Sequence, residues 1–429
     1  MAVNTAESVV TVRPFVSTVD GSDVIIGDTG RKVYLAIPAE GLDILNALAE
    51  GRTMAEAARI YERKHGESVD VEDFVAVLAD EGFVVRGEEP KAAAEPAHQH
   101  AHQMIRRWSF DWIPEATARR LTGPAVILPG LAVILAGVAL VIADPGMIPG
   151  SRALLFEGGN FAVLTVVSVT LAMIGLSLHE LAHAMAARSV GVSATLGISN
   201  LMYVLVAQTD ISGIWMASKR ARYKAFLAGF FVDAFLGSLL IAFIYATRHD
   251  LIAVPGWASL LASAALLTFL VRIGFQFFFY LRTDVYYVIA TALNCRNLMS
   301  DTERFLSNGF KRLTFRRDKV VSQAGVPRGE MRKVRVYAAV WVFGRVFGLF
   351  ALVFTILPLL WVYLEQFVLL ALGEPTRFSS ADFATVAVLA GLLNGGGLAM
   401  WGRNLWRGWR RRRTEDARTL ARQAAATAG

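Results

Sequence analysis

His179, Glu180 and His183 stand in the order His-Glu-Leu-Ala-His inside the apolar run 161–190. In a helix, residues four apart share a face, so the two histidines can hold one zinc ion while Glu180 stands beside its bound water. The chemistry of that set is metal-assisted hydrolysis in or near a bilayer. The five-residue pattern fixes only three positions and recurs by chance in proteins that hold no metal. Its setting adds the weight, because ionisable side chains inside a spanning segment are expensive and mark function. A histidine that only packs needs neither a second histidine nor a glutamate beside it.

A zinc centre needs a third protein ligand, and elimination narrows the choice. The other histidines of the chain are His65, His98, His100, His102 and His249. Those at 98–102 lie in a polar tether where they need no specific role, and His249 is expected on the far membrane face. No glutamate occurs between Glu180 and Glu303, which removes the nearby glutamate of thermolysin-type sites, and the motif lacks the glycine and histidine that metzincins add. Within or beside the membrane, Asp233 and Asp284 remain. If the helix enters near Phe161, His179 lies about 27 Å along it. Asp284 directly follows an inward span and reaches the same edge, whereas Asp233 is about 12 Å deep. Depth favours Asp284 as the ligand and leaves Asp233 as the alternative.

Membrane-spanning segments must carry these residues. Of the 429 residues 55% are hydrophobic, and mean hydropathy is +0.45. Six stretches are long enough to cross a hydrocarbon core of about 30 Å, at 121–143, 163–188, 225–246, 262–281, 336–359 and 383–401. The residues ahead of them are mixed and polar with no cleavable leader, which puts the amino terminus in the cytosol. Basic residues set the orientation. Segment 294–335 has eleven Lys and Arg and 402–413 has six, against one each near Pro145, His249 and Pro375. The expectation is a polytopic α-helical protein of the inner cell membrane, with about six spans and both termini cytoplasmic. Its net charge of +7 then serves contact with anionic lipid, not nucleic acid, and the arginine run 410–413 has the same explanation. The lone Cys295 excludes an internal disulfide and fits a cytosolic loop.

Residues 1–88 read as a small α+β domain, followed by a linker at 89–118, the membrane domain at 119–401 and a basic tail at 402–429. Alternating segments at 9–16, 22–26 and 32–37 predict short strands, with Asp20-Gly21 and Asp28-Thr29-Gly30 as turns. Helices follow at 39–49, at 54–64 behind a Thr53 cap and at 71–81 behind an Asp70 cap, and a strand at 83–86 closes a winged helix-turn-helix. Residues 1–90 hold seventeen Asp and Glu against eight Lys and Arg, a surface that repels phosphate and prefers a basic or amphipathic peptide to DNA. The span resembles the PqqD-like domains called RiPP recognition elements, through Val33-Tyr34-Leu35, Ile44-Leu45-Asn46-Ala47-Leu48 and Leu78-Ala79-Asp80-Glu81-Gly82-Phe83-Val84. That resemblance implies a leader peptide added as a strand beside 31–37 and packed on 71–78, touching Val33, Tyr34, Leu35 and Phe74. A winged helix used only for dimer contacts is the plain alternative.

Residues 120–300 resemble the site-2 protease family of intramembrane zinc metalloproteases. His179-Glu180-Leu181-Ala182-His183 matches its zinc-binding helix, and Thr283-Asp284-Val285-Tyr286-Tyr287 is similar to its second motif, in which an aspartate completes the metal site. Gly229-Phe230-Phe231-Val232-Asp233 falls where many members have a glycine-proline pair followed by an asparagine. Two departures stand out. Val285 replaces a common glycine, and Asp233 replaces the asparagine, removing an amide that can donate to an oxyanion. Asp233 is then protonated, orients a ligand histidine, or pairs with a Lys or Arg. With zinc in place, Glu180 would take a proton from the activated water and deliver it to the leaving amine. Segments 192–198 and 202–208 alternate like a hairpin, whose edge either pairs an extended substrate or simply rests at the membrane surface. These features lead to the expectation of a zinc-dependent intramembrane metalloendopeptidase that removes the leader from a ribosomally made, modified peptide captured by the amino-terminal domain. The rivals are a site-2 protease acting on a membrane-tethered regulator, a non-catalytic peptide-binding scaffold or exporter component, and a tethered transcription factor, which the acidic winged helix disfavours.

Overall fold

In a computed structural model of the chain the described residues are 10–85 and 107–403, less positions 22, 29, 32, 158, 202–203, 296, 317–318, 324–327 and 400, together with Trp406. The histidines at 98–102 and the arginine run 410–413 lie outside them.

The amino-terminal domain has the elements its sequence predicts, with one difference. Strands β1 (Thr11–Val12), β2 (Val16–Asp20), β3 (Asp23–Asp28) and β4 (Val33–Pro38) precede helices α1 (Gly41–Ala49), α2 (Met54–His65) and α3 (Val71–Asp80), and β5 (Val84–Val85) returns to pair with β1. The single strand expected at 9–16 is two, because Pro14 offers no N–H to a ladder. Beyond Pro14 the chain joins a separate antiparallel sheet in the order β2-β3-β4, turned at Gly21 with φ of 71°. Thr53 and Glu56 form a reciprocal cap on α2, and the Asp70 carboxylate accepts from the Asp73 amide to start α3. Val24, Ile26, Val33 and Ile37 on the sheet close one core with Ile44, Leu45 and Leu48 of α1 and with Val71, Val75 and Leu78 of α3.

Strand β6 (Arg107–Ser109) and the first half of α4 (Glu115–Leu121) fall within 89–118, the residues that the sequence reading assigns to the linker. A three-residue strand carries too little local signal to be told from a linker until its partners are known. Here the partner is the hairpin β7 (Thr195–Leu201) and β8 (Val204–Asp210), which β6 extends to a sheet in the order β6-β7-β8.

Among the described residues five helical segments are long and apolar enough to cross a membrane: Glu115–Ala143, Phe161–Arg188, Lys219–Arg248, Gly256–Phe275 and Gly329–Leu372. They contain α5 (Pro124–Ala143), α6 (Phe161–Arg188), α7 (Lys219–Arg248), α8 (Gly256–Phe275), α11 (Arg328–Ala351) and α12 (Leu357–Leu372). Between α8 and α11 lie two shorter helices, α9 (Asp284–Leu293) and α10 (Leu298–Leu313). The sixth stretch expected to span, at 383–401, is represented by α13 (Ser380–Ala390) and a π-turn at Gly391–Gly395. A second π-turn at Leu352–Ile356 joins α11 to α12 just before Pro358, which has no N–H to continue the regular ladder.

Helix α7 is the hub of the bundle, packed against α5, α6, α8 and α9. Small residues let it approach closely, since Gly130 of α5 lies against Phe231 and Gly137 against Ser238. At the amino-terminal end of α7, Arg222 is buried and its Nη1 lies 2.8 Å from Oδ2 of Asp20, which ends β2. A fully desolvated pair of this kind joins the small domain to the bundle through one specific geometry.

Candidate metal centre

The centre is assembled from α6, α7, the end of α8 and the start of α9. His179 and His183 occupy one face of α6, as their spacing requires, and both rings are buried. Each ring has its Nδ1 beside an oxygen acceptor. For His179 this is Oδ2 of Asp233 at 2.9 Å, and for His183 it is the carbonyl of Ala225 at 2.7 Å. With Nδ1–H donated to those acceptors, the neutral rings present both Nε2 lone pairs to the same point.

Asp284 completes that point. Its Oδ2 is 3.2 Å from Nε2 of His179 and 3.3 Å from Nε2 of His183, and the two Nε2 atoms are 3.2 Å apart. Three lone-pair atoms facing one another repel unless something positive lies among them. Tetrahedral zinc with ligand distances of about 2.0–2.1 Å separates neighbouring donors by about 3.3 Å, so the triangle fits one face of such a site. Among the described residues His179, His183 and Asp284 form the group that can hold a metal ion. Gly229 makes the room, because a Cβ there would stand 2.5 Å from Nε2 of both histidines.

Asp284 is held before any ion arrives. Thr283 caps α9 and its hydroxyl donates to the Gln276 carbonyl at 2.9 Å. The Gln276 side chain then clamps Asp284 from both sides, with Nε2 donating to Oδ2 and Oε1 accepting from the Asp284 amide, each at 3.0 Å. Asp233 is not in the triangle. It is fully buried behind His179 and paired with Arg272 of α8, whose Nη2 lies 2.7 Å from Oδ1 and whose Nε donates to Oδ2 at 2.9 Å. Of the three roles left open for Asp233, orientation of a histidine and pairing with an arginine therefore occur together.

Glu180 points away from the triangle toward the hairpin. Its Oε2 accepts the amide N–H of Thr209 at 2.7 Å, and the Thr209 hydroxyl donates to the Glu180 carbonyl at 3.1 Å. This strand contact holds the Glu180 carboxylate outside the metal triangle.

Not every residue considered from sequence comes to the site. His65 lies in the small domain 2.9 Å from Asp43, and His249 faces Asp144 at the opposite end of α7. In the small domain Val33 and Leu35 turn inward to its core, whereas Tyr34 faces a cavity of about 300 Å³ shared with Gly191, Val192, Ser193 and Ser212 of the membrane portion. Burial, with Asp210 and Asp28 nearby, raises the Tyr34 hydroxyl above its ordinary pKa. Phe74 closes over Gly41 beside Ile37, so it does stand between α3 and β4. Arg272, Gln276 and Thr209 were not anticipated. Arg272 carried a usable signal, since a charge inside the stretch 262–281 falls under the same rule that singled out the histidines. The chain matches no known protein-family model, no curated protein and no solved structure.

Proposed function

We propose that this chain is a membrane-embedded zinc-dependent metalloprotease that cuts a peptide bond close to the cytosolic face. The observation that carries it is the triangle of His179, His183 and Asp284 with Glu180 beside it, buried in a bundle of apolar helices. Two imidazole nitrogens and one carboxylate oxygen suit zinc and leave a fourth position open. A bound zinc ion supplies Lewis acidity toward a water and a carbonyl. The rest belongs to the chain. Asp233 and the Ala225 carbonyl fix the ring orientations, Gln276 fixes Asp284, and Glu180 moves a proton from the attacking water to the leaving amine.

The substrate proposal follows from two strand edges. Among the described residues β4 pairs only with β3 and β8 only with β7, so each has an edge on which an extended peptide can add. The β8 edge ends at Thr209, whose amide is already taken by Glu180, so a strand added along 204–207 would stop beside the proton acceptor. The β4 edge lies on the acidic small domain, which suits a basic leader peptide. We therefore favour removal of a leader from a ribosomally made, modified peptide over cleavage of a membrane-tethered regulator.

Purified full-length protein tests the reaction. Glu180→Gln is expected to keep one zinc per chain and lose peptide cleavage, whereas His183→Ala loses both, measured by metal content and turnover. Full cleavage by the Glu180→Gln protein would remove Glu180 from its role.

A further inference from the structure

Three helices meet at Asp233, and the reaction scheme uses only one of its contacts. The carboxylate sits within the bundle with no solvent exposure, and its Oδ2 lies 2.9 Å from both His179 Nδ1 and Arg272 Nε. Its Oδ1 is 2.7 Å from Arg272 Nη2. The guanidinium lies 4.7 Å from the centroid of Phe269, a turn earlier on α8. It reaches this place through a gap in α6, since a Cβ on Gly175 would stand 3.0 Å from Arg272 Nη2. Gly175 is one turn before His179 on the helix that carries both histidines. Helix α6 therefore provides the ligand and also the notch that admits the counter-ion of the group orienting it.

We propose that Arg272 and Asp233 act as one net-neutral positioning unit for His179, so that neither can be removed alone while both can be replaced together by a neutral pair. A buried carboxylate without its cation, or a buried cation without its carboxylate, leaves an uncompensated charge in an apolar bundle. Such a charge draws in water or swings aside, and the His179 ring loses its fixed acceptor. An asparagine at 233 still offers an oxygen to Nδ1–H, and a glutamine at 272 places an amide near the position of Arg272 Nε, so the exchange keeps the hydrogen bonds and drops both charges. Arg272 touches neither metal nor substrate in this scheme. The inference rests on the metal-centre assignment but not on proteolysis.

The test is zinc affinity of full-length protein in detergent, measured with Zn2+ alone against a chromophoric chelator, with thermal unfolding recorded in parallel. Arg272→Gln and Asp233→Asn are each expected to weaken zinc binding by about 10- to 100-fold, the range for partners that orient a ligand. The double variant is expected to recover most of that loss. An ion pair that serves only stability predicts lower unfolding temperatures with zinc affinity unchanged in the folded protein, and that result overturns the proposal. So does a double variant that loses the sum of the two single losses. Should either single variant fail to fold, a folded double variant with recovered affinity supports the unit and a double variant that also fails to fold overturns it. A parent protein that binds no zinc removes the metal centre itself, which is distinguishable from all of these.

Discussion

Position 229 admits nothing larger than hydrogen. A methyl group there would stand 2.5 Å from Cε1 and Nε2 of His179 and from Nε2 of His183, where the metal-binding lone pairs converge. Neither ring can simply step aside, because Asp233 and the Ala225 carbonyl hold them from behind. Alanine is the better helix former by about 1 kcal/mol, but forcing a methyl group into this space typically costs about 1–3 kcal/mol, which outweighs that gain. The expected outcome of Gly229→Ala is loss of bound zinc, read as metal per chain, with helical content preserved and the unfolding temperature lowered. The sequence made Gly229 visible only as part of a motif resemblance, because what a glycine avoids depends on residues fifty positions away. His179 and His183 were legible from spacing alone, since helical geometry fixes the distance between residues four apart. Asp284 was separable from Asp233 only by depth along the spans. What depth could not give was the Gln276 clamp or the double engagement of Asp233, which depend on how α8 meets α7 and α9.

Local chemistry explains why some elements were readable and others not. The Thr53–Glu56 and Asp70 caps are written within four residues, so α2 and α3 begin where the sequence places them. The pairing of β6 with β7 joins residues some ninety positions apart and leaves no local trace. Strand β8 also has a role that periodicity does not reveal. The Thr209 amide is directed at Glu180 instead of the β7 ladder, so proline at 209 removes that donor without breaking a ladder bond, and it also removes the hydroxyl that donates to the Glu180 carbonyl. A hydrogen bond to a charged group contributes roughly 1.5–3 kcal/mol. Thr209→Pro should therefore slow peptide cleavage by about 10- to 100-fold, with zinc content unchanged. Thr209→Val keeps the amide and should lose far less. Equal turnover of the proline and parent proteins in a peptide-release assay would show that β8 does not position the base.

How the parts sit together decides which side of the membrane each end occupies. The Asp20–Arg222 pair ties the small domain to the amino-terminal end of α7, beside Ala225 and the metal centre. That end also receives the segment after the hairpin and packs on α9, so the site and the small domain share a face, the one that the sequence reading expects to be cytosolic. The far face is marked by the connection after α12. Phe378 packs on Phe161 with ring centroids 4.4 Å apart, Arg377 lies 3.0 Å from Glu157, and Asp382 accepts the Ala162 amide at 3.1 Å. Residues 377–382 thus meet the start of α6, the end remote from His179. From there α13 packs along α6, and its π-turn extension reaches β8, which belongs to the site face. The chain therefore heads back toward the site face even though α13 itself has only 11 residues. A reporter fused after Ala428 should be active only in the cytoplasm, and one inserted after Pro375 only on the outer side. Cytoplasmic activity at both positions would mean that α11 and α12 do not cross. Outer-side activity at both would mean that the last helix turns back, leaving five crossings and the basic tail outside.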